Sequence, residues 1–202
     1  PMEGLRIRGY SIPELLEKLP KAKNSNYPLA GGIFYLLMVD EMPTYEQAME
    51  VEAEWKRRSR VPIYVYELIR TMPACAHPMT MFSQVILALN CESIFAERYG
   101  NGMQKSEYWK ATLEDSFNLI AKLPNIAGYV YNLRYKGGRQ VKYDPDLDWS
   151  ANFANMLVPG NKEYQDLMRL FIVLHSDHEG ANGSAHTAQL VNSALSDMYY
   201  SA

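Results

Sequence analysis

The chain has 202 residues, 48% apolar and 21% charged, with 20 basic against 23 acidic side chains and a formal net charge of -3. These values match a soluble globular domain and exclude disordered or collagen-like chains. At this length a chain buries roughly 70% of the surface it would expose unfolded, so a core needs no disulfide or structural metal, and one domain is the default. The dispersed charge excludes a nucleic-acid partner, which would need a clustered basic face. No apolar run is long enough for a membrane span. Cys75 and Cys91, without a CxxC motif, read as two buried apolar thiols in a reducing compartment. The start, Pro1-Met2-Glu3-Gly4, shows neither a basic leader nor an Arg-rich presequence. Both ends read as abrupt: residues 4–10 look like the middle of something, and Tyr199-Tyr200-Ser201-Ala202 ends an apolar helical pattern without Gly, Pro or a polar tail.

Ser11-Ile12-Pro13-Glu14 is a capping box, so a helix is expected over 12–19 before Pro20 stops it. Gly31-Gly32 leads into seven apolar residues, 33–39, that fit a strand or a helical turn and are read here as helical. Thr44-Tyr45-Glu46-Gln47 is a second capping box, opening an acidic helix to about Arg58 whose charged face is expected in solvent. Pro78 starts a helix over 79–96 with Phe82, Val85, Ile86, Leu89 and Ile94 at helical spacing. A further helix is expected from near Ser106 to Arg134, kinked at Pro124 because the ring removes one hydrogen bond. Loops at 136–139 and 144–146 separate it from a short helix over 149–157 starting at Asp148. Asn161 caps 162–174, and Gly183 or Ser184 starts the last helix. No repeat or strand alternation is visible, so the chain reads as all-α.

Three of the four histidines fall within twelve residues, in His175-Ser176-Asp177-His178-Glu179-Gly180-Ala181-Asn182-Gly183-Ser184-Ala185-His186-Thr187, at the junction of two helices. Small residues at 180, 181 and 183 permit close backbone approach to a ligand, and a helix start supplies N–H groups and a positive dipole end for an anion. Histidine can donate to a carboxylate or carbonyl at neutral pH and still change charge, so the cluster suits a small oxo-acid. Any one of these histidines serves equally well as a cap at a buried helix junction; three together favour a ligand. A metal site would use His175, His178, Asp177 and Glu179, but no HExxH or cysteine companion is present. A nucleophilic triad built on Ser176 or Ser184 lacks a GxSxG elbow.

The stretch His-Ser-Asp-His-Glu-Gly-x-Asn-x-Ser-Ala-His-Thr resembles the signature of mitochondrial-type citrate synthases. Residues 4–14, 19–22, 77–79, 119–124, 147–150, 155–157, 168–170 and 193–197 are similar to further blocks of that family in the same order. The resemblance covers nearly the whole chain but less than half of a family member's length. It implies an all-α, multi-helical citrate synthase large-domain fragment spanning residues 1–202, without the small domain and the C-terminal part, and a homodimer in which the long apolar helices pack across the interface. It implies condensation of acetyl-CoA with oxaloacetate to citrate and CoA, with those two small molecules as substrates, no cofactor and no metal, in the mitochondrial matrix.

Carried over residue by residue, His178 matches the family's first oxaloacetate-binding histidine, with His175 and Asn182 lining the cleft beside it. Ala181 and Gly183 replace small residues of the signature. Lys105 stands where vertebrate members carry an arginine that reaches a CoA phosphate, keeping the charge but losing the bidentate fork. No catalytic residue is assigned: the family's catalytic histidine is expected in a Gly-Pro-Leu-His-Gly segment shortly after Ala202, with the second histidine, the aspartate base and the clamping arginines further on. Three readings follow. The chain is a piece of a working citrate synthase and inactive alone; or it is a naturally short structural subunit or half of a split enzyme; or it is an unrelated histidine-rich metal-binding module.

Overall fold

A computed structural model of the chain describes residues 4–177 and 182–202. In chain order its elements are β1 (Arg6–Ile7), β2 (Tyr10–Ser11), α1 (Ile12–Lys18), α2 (Ala30–Val39), α3 (Tyr45–Arg58), α4 (Ile63–Thr71), α5 (Pro78–Ala88), α6 (Ile94–Gly100), α7 (Tyr108–Tyr135), α8 (Trp149–Leu157), α9 (Lys162–Leu174), α10 (Gly183–Ser193) and α11 (Met198–Ser201). Short 3-10 turns precede α6, at Leu89–Glu92, and α7, at Lys105–Glu107. Among the described residues the fold is all-α apart from one small hairpin. Length gave one domain as the default; contacts divide the chain into two compact units, Pro1–Arg57 with Val141–Asp177, and Arg58–Gln140 with His178–Ala202.

In the first unit β1 and β2 pair antiparallel, Arg6 opposite Ser11 and Ile7 opposite Tyr10. Arg8 and Gly9 turn the hairpin at φ of 49° and 82°, the left-handed pair that a two-residue loop between twisted strands requires. Two residues per strand leave no alternation to read, which hid this element from sequence periodicity. The capping box at Ser11 forms, with the Glu14 carboxylate accepting from the Ser11 N–H at 2.8 Å. The box at Thr44 forms in the same way, with Gln47 Oε1 accepting from the Thr44 N–H at 2.8 Å. Asp148 and Asn161 cap α8 and α9 through their side chains. Ile7, Leu15, Leu19, Ile33, Leu36 and Val173 form the core; each such side chain contributes about 1.5–3 kcal/mol relative to exposure. α2 begins before the apolar run, at Ala30, and its N-cap Leu29 supplies no side-chain hydrogen bond. Gly31 lets α2 lie against α3, since a Cβ there would stand 2.6 Å from the Ala48 carbonyl oxygen. The acidic face of α3 is not wholly in solvent as expected: Glu52 is buried beside Ala48, Val51 and Trp55.

In the second unit Val65, Ile69, Met81, Val85, Leu89, Ile126 and Tyr199 pack together from α4, α5, α7, α11 and the turn after α5. The helix expected over 79–96 is broken. α5 ends at Ala88, and the axis turns by 43° between Pro78–Glu92 and Ile94–Gly100. The break is made by Ser93, whose hydroxyl accepts from the Ala96 N–H at 3.0 Å, and by Asp115 of α7, which takes the Ile94 and Phe95 N–H groups at 2.8 and 3.0 Å. A buried carboxylate gathering helix-start amides is a strong local restraint. α4 was not anticipated, the last helix expected from residue 183 or 184 is divided into α10 and α11, and α7 starts at Tyr108 and runs on through a buried Pro124. Cys75 and Cys91 are both exposed, contrary to the buried thiols expected, because they sit outside the apolar faces of the flanking helices. Among the described residues no single helix is long and apolar enough to cross a membrane.

Candidate functional site

The histidine-rich stretch leaves α9 and enters α10. His175 is the C-cap of α9: its backbone N–H donates to the Phe171 carbonyl, and its ring Nδ1 lies 2.8 Å from the same oxygen. A carbonyl only accepts, so Nδ1 carries the proton, and in the neutral ring Nε2 is the acceptor. The ring stacks on Phe171 at 3.9 Å between centroids, which fixes its plane. His178 lies outside the described residues. Asn182 is the N-cap of α10, its Oδ1 accepting from the Ser184 N–H at 3.0 Å and the Ser184 hydroxyl at 2.6 Å. That commitment leaves its amide N–H groups as the part able to donate to a ligand. His186 is exposed on α10, and Lys105 is exposed in the turn before α7. The fourth histidine, His77, is a structural cap: its Nδ1 accepts from the Met79 N–H at 3.2 Å at the start of α5. Among the described residues no group of three or more His, Cys, Asp and Glu is placed to hold a metal.

Sequence reasoning missed a polar cluster in the first unit. It borders a cleft of about 520 Å³ between α3, the loop before α8 and the start of α9. Glu52 accepts the Gly31 N–H on one carboxylate oxygen at 2.9 Å and the Trp149 N–H on the other at 2.8 Å. It therefore serves the first turns of α2 and α8 together. Next to Trp149, Asp148 accepts from Arg169 Nη2 at 2.6 Å and Nε at 3.1 Å. Arg169 also donates to Asp166 at 2.5 Å, and Asp166 accepts the Ser25 hydroxyl at 2.5 Å. Burial pushes the Glu52 carboxyl up to about 7, helped by the Asp148 charge and opposed by its two amide donors and Arg169. Burial alone would lower Arg169, but the hydrogen bonds and charges of Asp148 and Asp166 outweigh it and hold the guanidinium above its ordinary value. Tyr143, on the cleft wall, is pushed up to about 12 by burial and then by Glu52. A signal for this cluster existed: Glu52 and Arg169 occupy positions in the buried stripes of α3 and α9, where a charge demands a partner.

Comparison with known proteins gives a consistent answer. Residues 2–202 match the family model of the citrate synthase C-terminal domain. The mitochondrial citrate synthases of Xiphias gladius and Kajikia audax are each 49% identical over 202 residues, covering 100% of this chain and 43% of the relative. That of Daucus carota is 47% identical over 201 residues at the same coverage. The crystal structure of citrate synthase from Pyrobaculum aerophilum superposes with a TM-score of 0.81 at 28% identity, over 96% of this chain and 46% of that one. The citrate synthase of Thermotoga maritima shares the fold, with a TM-score of 0.71 at 19% identity over the same shares of the two chains. The chain thus spans 43% of the length of the curated relatives it matches.

Proposed function

Because this chain belongs to the citrate synthase family, we propose that it forms part of an acyltransferase site where acetyl-CoA and oxaloacetate condense to citrate and CoA. The observation that carries this reading is the stretch 175–187, in which residues matching the family signature join α9 to α10. His178 is the principal oxaloacetate contact. His175, with Nδ1 donating to the Phe171 carbonyl, turns Nε2 to the ligand and donates from it to a carboxylate only as the imidazolium, and Asn182 donates through its amide while its oxygen caps α10. Oxaloacetate offers two carboxylates and a ketone to such donors, and donors that polarise the ketone favour attack by the deprotonated thioester methyl. Water then cleaves the resulting thioester and frees CoA. Lys105, exposed before α7, supplies a cation for a CoA phosphate. No residue among the 202 is assigned as the base.

The same reading makes residues 1–202 part of a large helical domain, the assembly a homodimer and the location the mitochondrial matrix, in keeping with relatives named as mitochondrial. Calorimetric titration of oxaloacetate into the native protein tests it. A hydrogen bond to a charged group contributes about 1.5–3 kcal/mol, so Asn182→Ala should weaken binding by roughly 10- to 100-fold. Unchanged affinity would remove Asn182 from the site.

A further inference from the structure

We propose that Glu52 is a positioning residue for the His175 end of α9, tying together the helix starts on which α9 depends and loosening one of them when it takes up a proton. The inference rests on the reading of His175 as an oxaloacetate contact, and its first link is geometric. α2 has no side-chain cap of its own, and the Glu52 carboxylate, arriving from α3, accepts the Gly31 N–H in its place. The second oxygen accepts the Trp149 N–H at the first position of α8. Both lone-pair directions facing protein are thus committed, one to each helix. Protonation turns one oxygen into a donor, which cannot serve an N–H in the same way, so one of the two helix starts loses its acceptor.

The second link runs to α9. Asp148, the N-cap of α8 and the neighbour of Trp149, grips Arg169 from α9 through two hydrogen bonds. Arg169 lies six residues before His175, whose ring is locked to the last turn of the same helix. A shift at the α8 start therefore reaches the histidine through the Asp148–Arg169 pair and a rigid helical segment. Charge provides the reason for a proton to enter. Glu52 lies beside Asp148, which with Asp166 holds the buried Arg169 guanidinium, so the Asp148 charge repels a second carboxylate in a poorly solvated place. Lys56, one turn along α3, lines the same cleft and donates to the Pro145 carbonyl on the loop before α8. Tyr143 on that loop is kept neutral by the same environment. Lys23 and Lys162 also line the cleft, and both are exposed. Asp148 is held by two arginine hydrogen bonds, whereas Glu52 is held by two backbone amides.

Nuclear magnetic resonance on the intact native protein tests this. The backbone amides of Gly31 and Trp149 and the ring of His175 would be followed from pH 5 to 9, in the wild type and in Glu52→Gln, with and without oxaloacetate. The expected result is a common inflection of both amides near pH 7, felt at the His175 ring and lost in Glu52→Gln. Amides that share no inflection, or a His175 ring with the same pH profile in both proteins, would overturn the proposal. If Glu52→Gln fails to fold, the wild-type titration still decides, because the two amides must move together. A His175 ring that follows Glu52 but ignores oxaloacetate would support the tie while removing the substrate reading on which its functional meaning rests.

Discussion

Replacing Gly31 or Gly32 by alanine should have opposite effects, although the two are adjacent on one helix. In an exposed helix Gly→Ala usually stabilises, by about 0.4–1 kcal/mol, chiefly by restricting the unfolded chain. At Gly32 the new methyl would sit 3.5 Å from Pro20 Cδ, 3.6 Å from Leu19 Cδ2 and 3.7 Å from Ala48 Cβ, all ordinary contacts. Gly32→Ala should therefore gain about 0.5 kcal/mol. At Gly31 the methyl would stand 2.6 Å from the Ala48 carbonyl oxygen and 3.2 Å from both Val51 Cβ and Glu52 Cγ. The carbonyl belongs to the backbone of α3 and cannot rotate away, so the helices must separate and the Gly31 N–H bond to Glu52 must stretch. Overpacking of this kind costs about 1–3 kcal/mol. For a chain of this length that lowers the melting temperature by roughly 2–4 °C for each kcal/mol. Urea unfolding followed through Trp55 and Trp149, both in the first unit, reads the effect locally, since Trp109 is already 62% exposed in the other unit. A Gly31→Ala protein as stable as Gly32→Ala would refute the close approach of α2 and α3.

Arg169→Met should cost about 3–5 kcal/mol in the same assay, because Asp148 and Asp166 lose the guanidinium that compensates them in a buried place; a loss under 1 kcal/mol would show the pair to be solvated. The Glu52 carboxyl is raised from 4.5 to about 7, so the folded state holds this proton more tightly than the unfolded one. Its contribution is then fully favourable below about pH 4.5 and is lost as pH rises to 7, amounting to about 3 kcal/mol. Subtracting the pH dependence of Glu52→Gln stability from that of the wild type isolates this component, and a flat difference would contradict it. Cys75 and Cys91 are exposed, so an aromatic disulfide reagent should modify both thiols before denaturation; reaction only after denaturation would contradict their placement.

What could be read from the sequence divides by the range of the interaction involved. Helices whose caps are local were legible, because Ser11, Thr44, Asp148 and Asn161 stand beside the amides they serve. Starts whose caps arrive from elsewhere were not. α2 is capped by Glu52, about twenty residues away in sequence, which leaves no mark in a local window, and the start of α6 adds the equally distant Asp115 to its local cap Ser93. That is why the first of these was read from Ile33, whereas the break at Ser93 was overlooked although its own hydroxyl marks it. α4 was missed because no capping side chain marks its start: its N-cap is Pro62, which supplies no side-chain hydrogen bond. For the site, histidine density and family resemblance pointed to His175, His178 and Asn182. The Glu52 and Arg169 cluster was overlooked because a charged face was taken to be a solvated one. The spacing of Ala48, Val51, Glu52 and Trp55 places that carboxylate inside the apolar stripe.

Oxaloacetate-dependent release of CoA from acetyl-CoA, measured on the intact native protein and on its His178→Ala variant, tests most directly whether this chain carries a citrate synthase's oxaloacetate site. Removing one donor that stabilises charge developing in a transition state costs about 10²–10³ in turnover. The account predicts release by the wild type that falls by at least that much in the variant, with the unfolding midpoint unchanged. Release that ignores oxaloacetate, or that His178→Ala leaves intact, would contradict it.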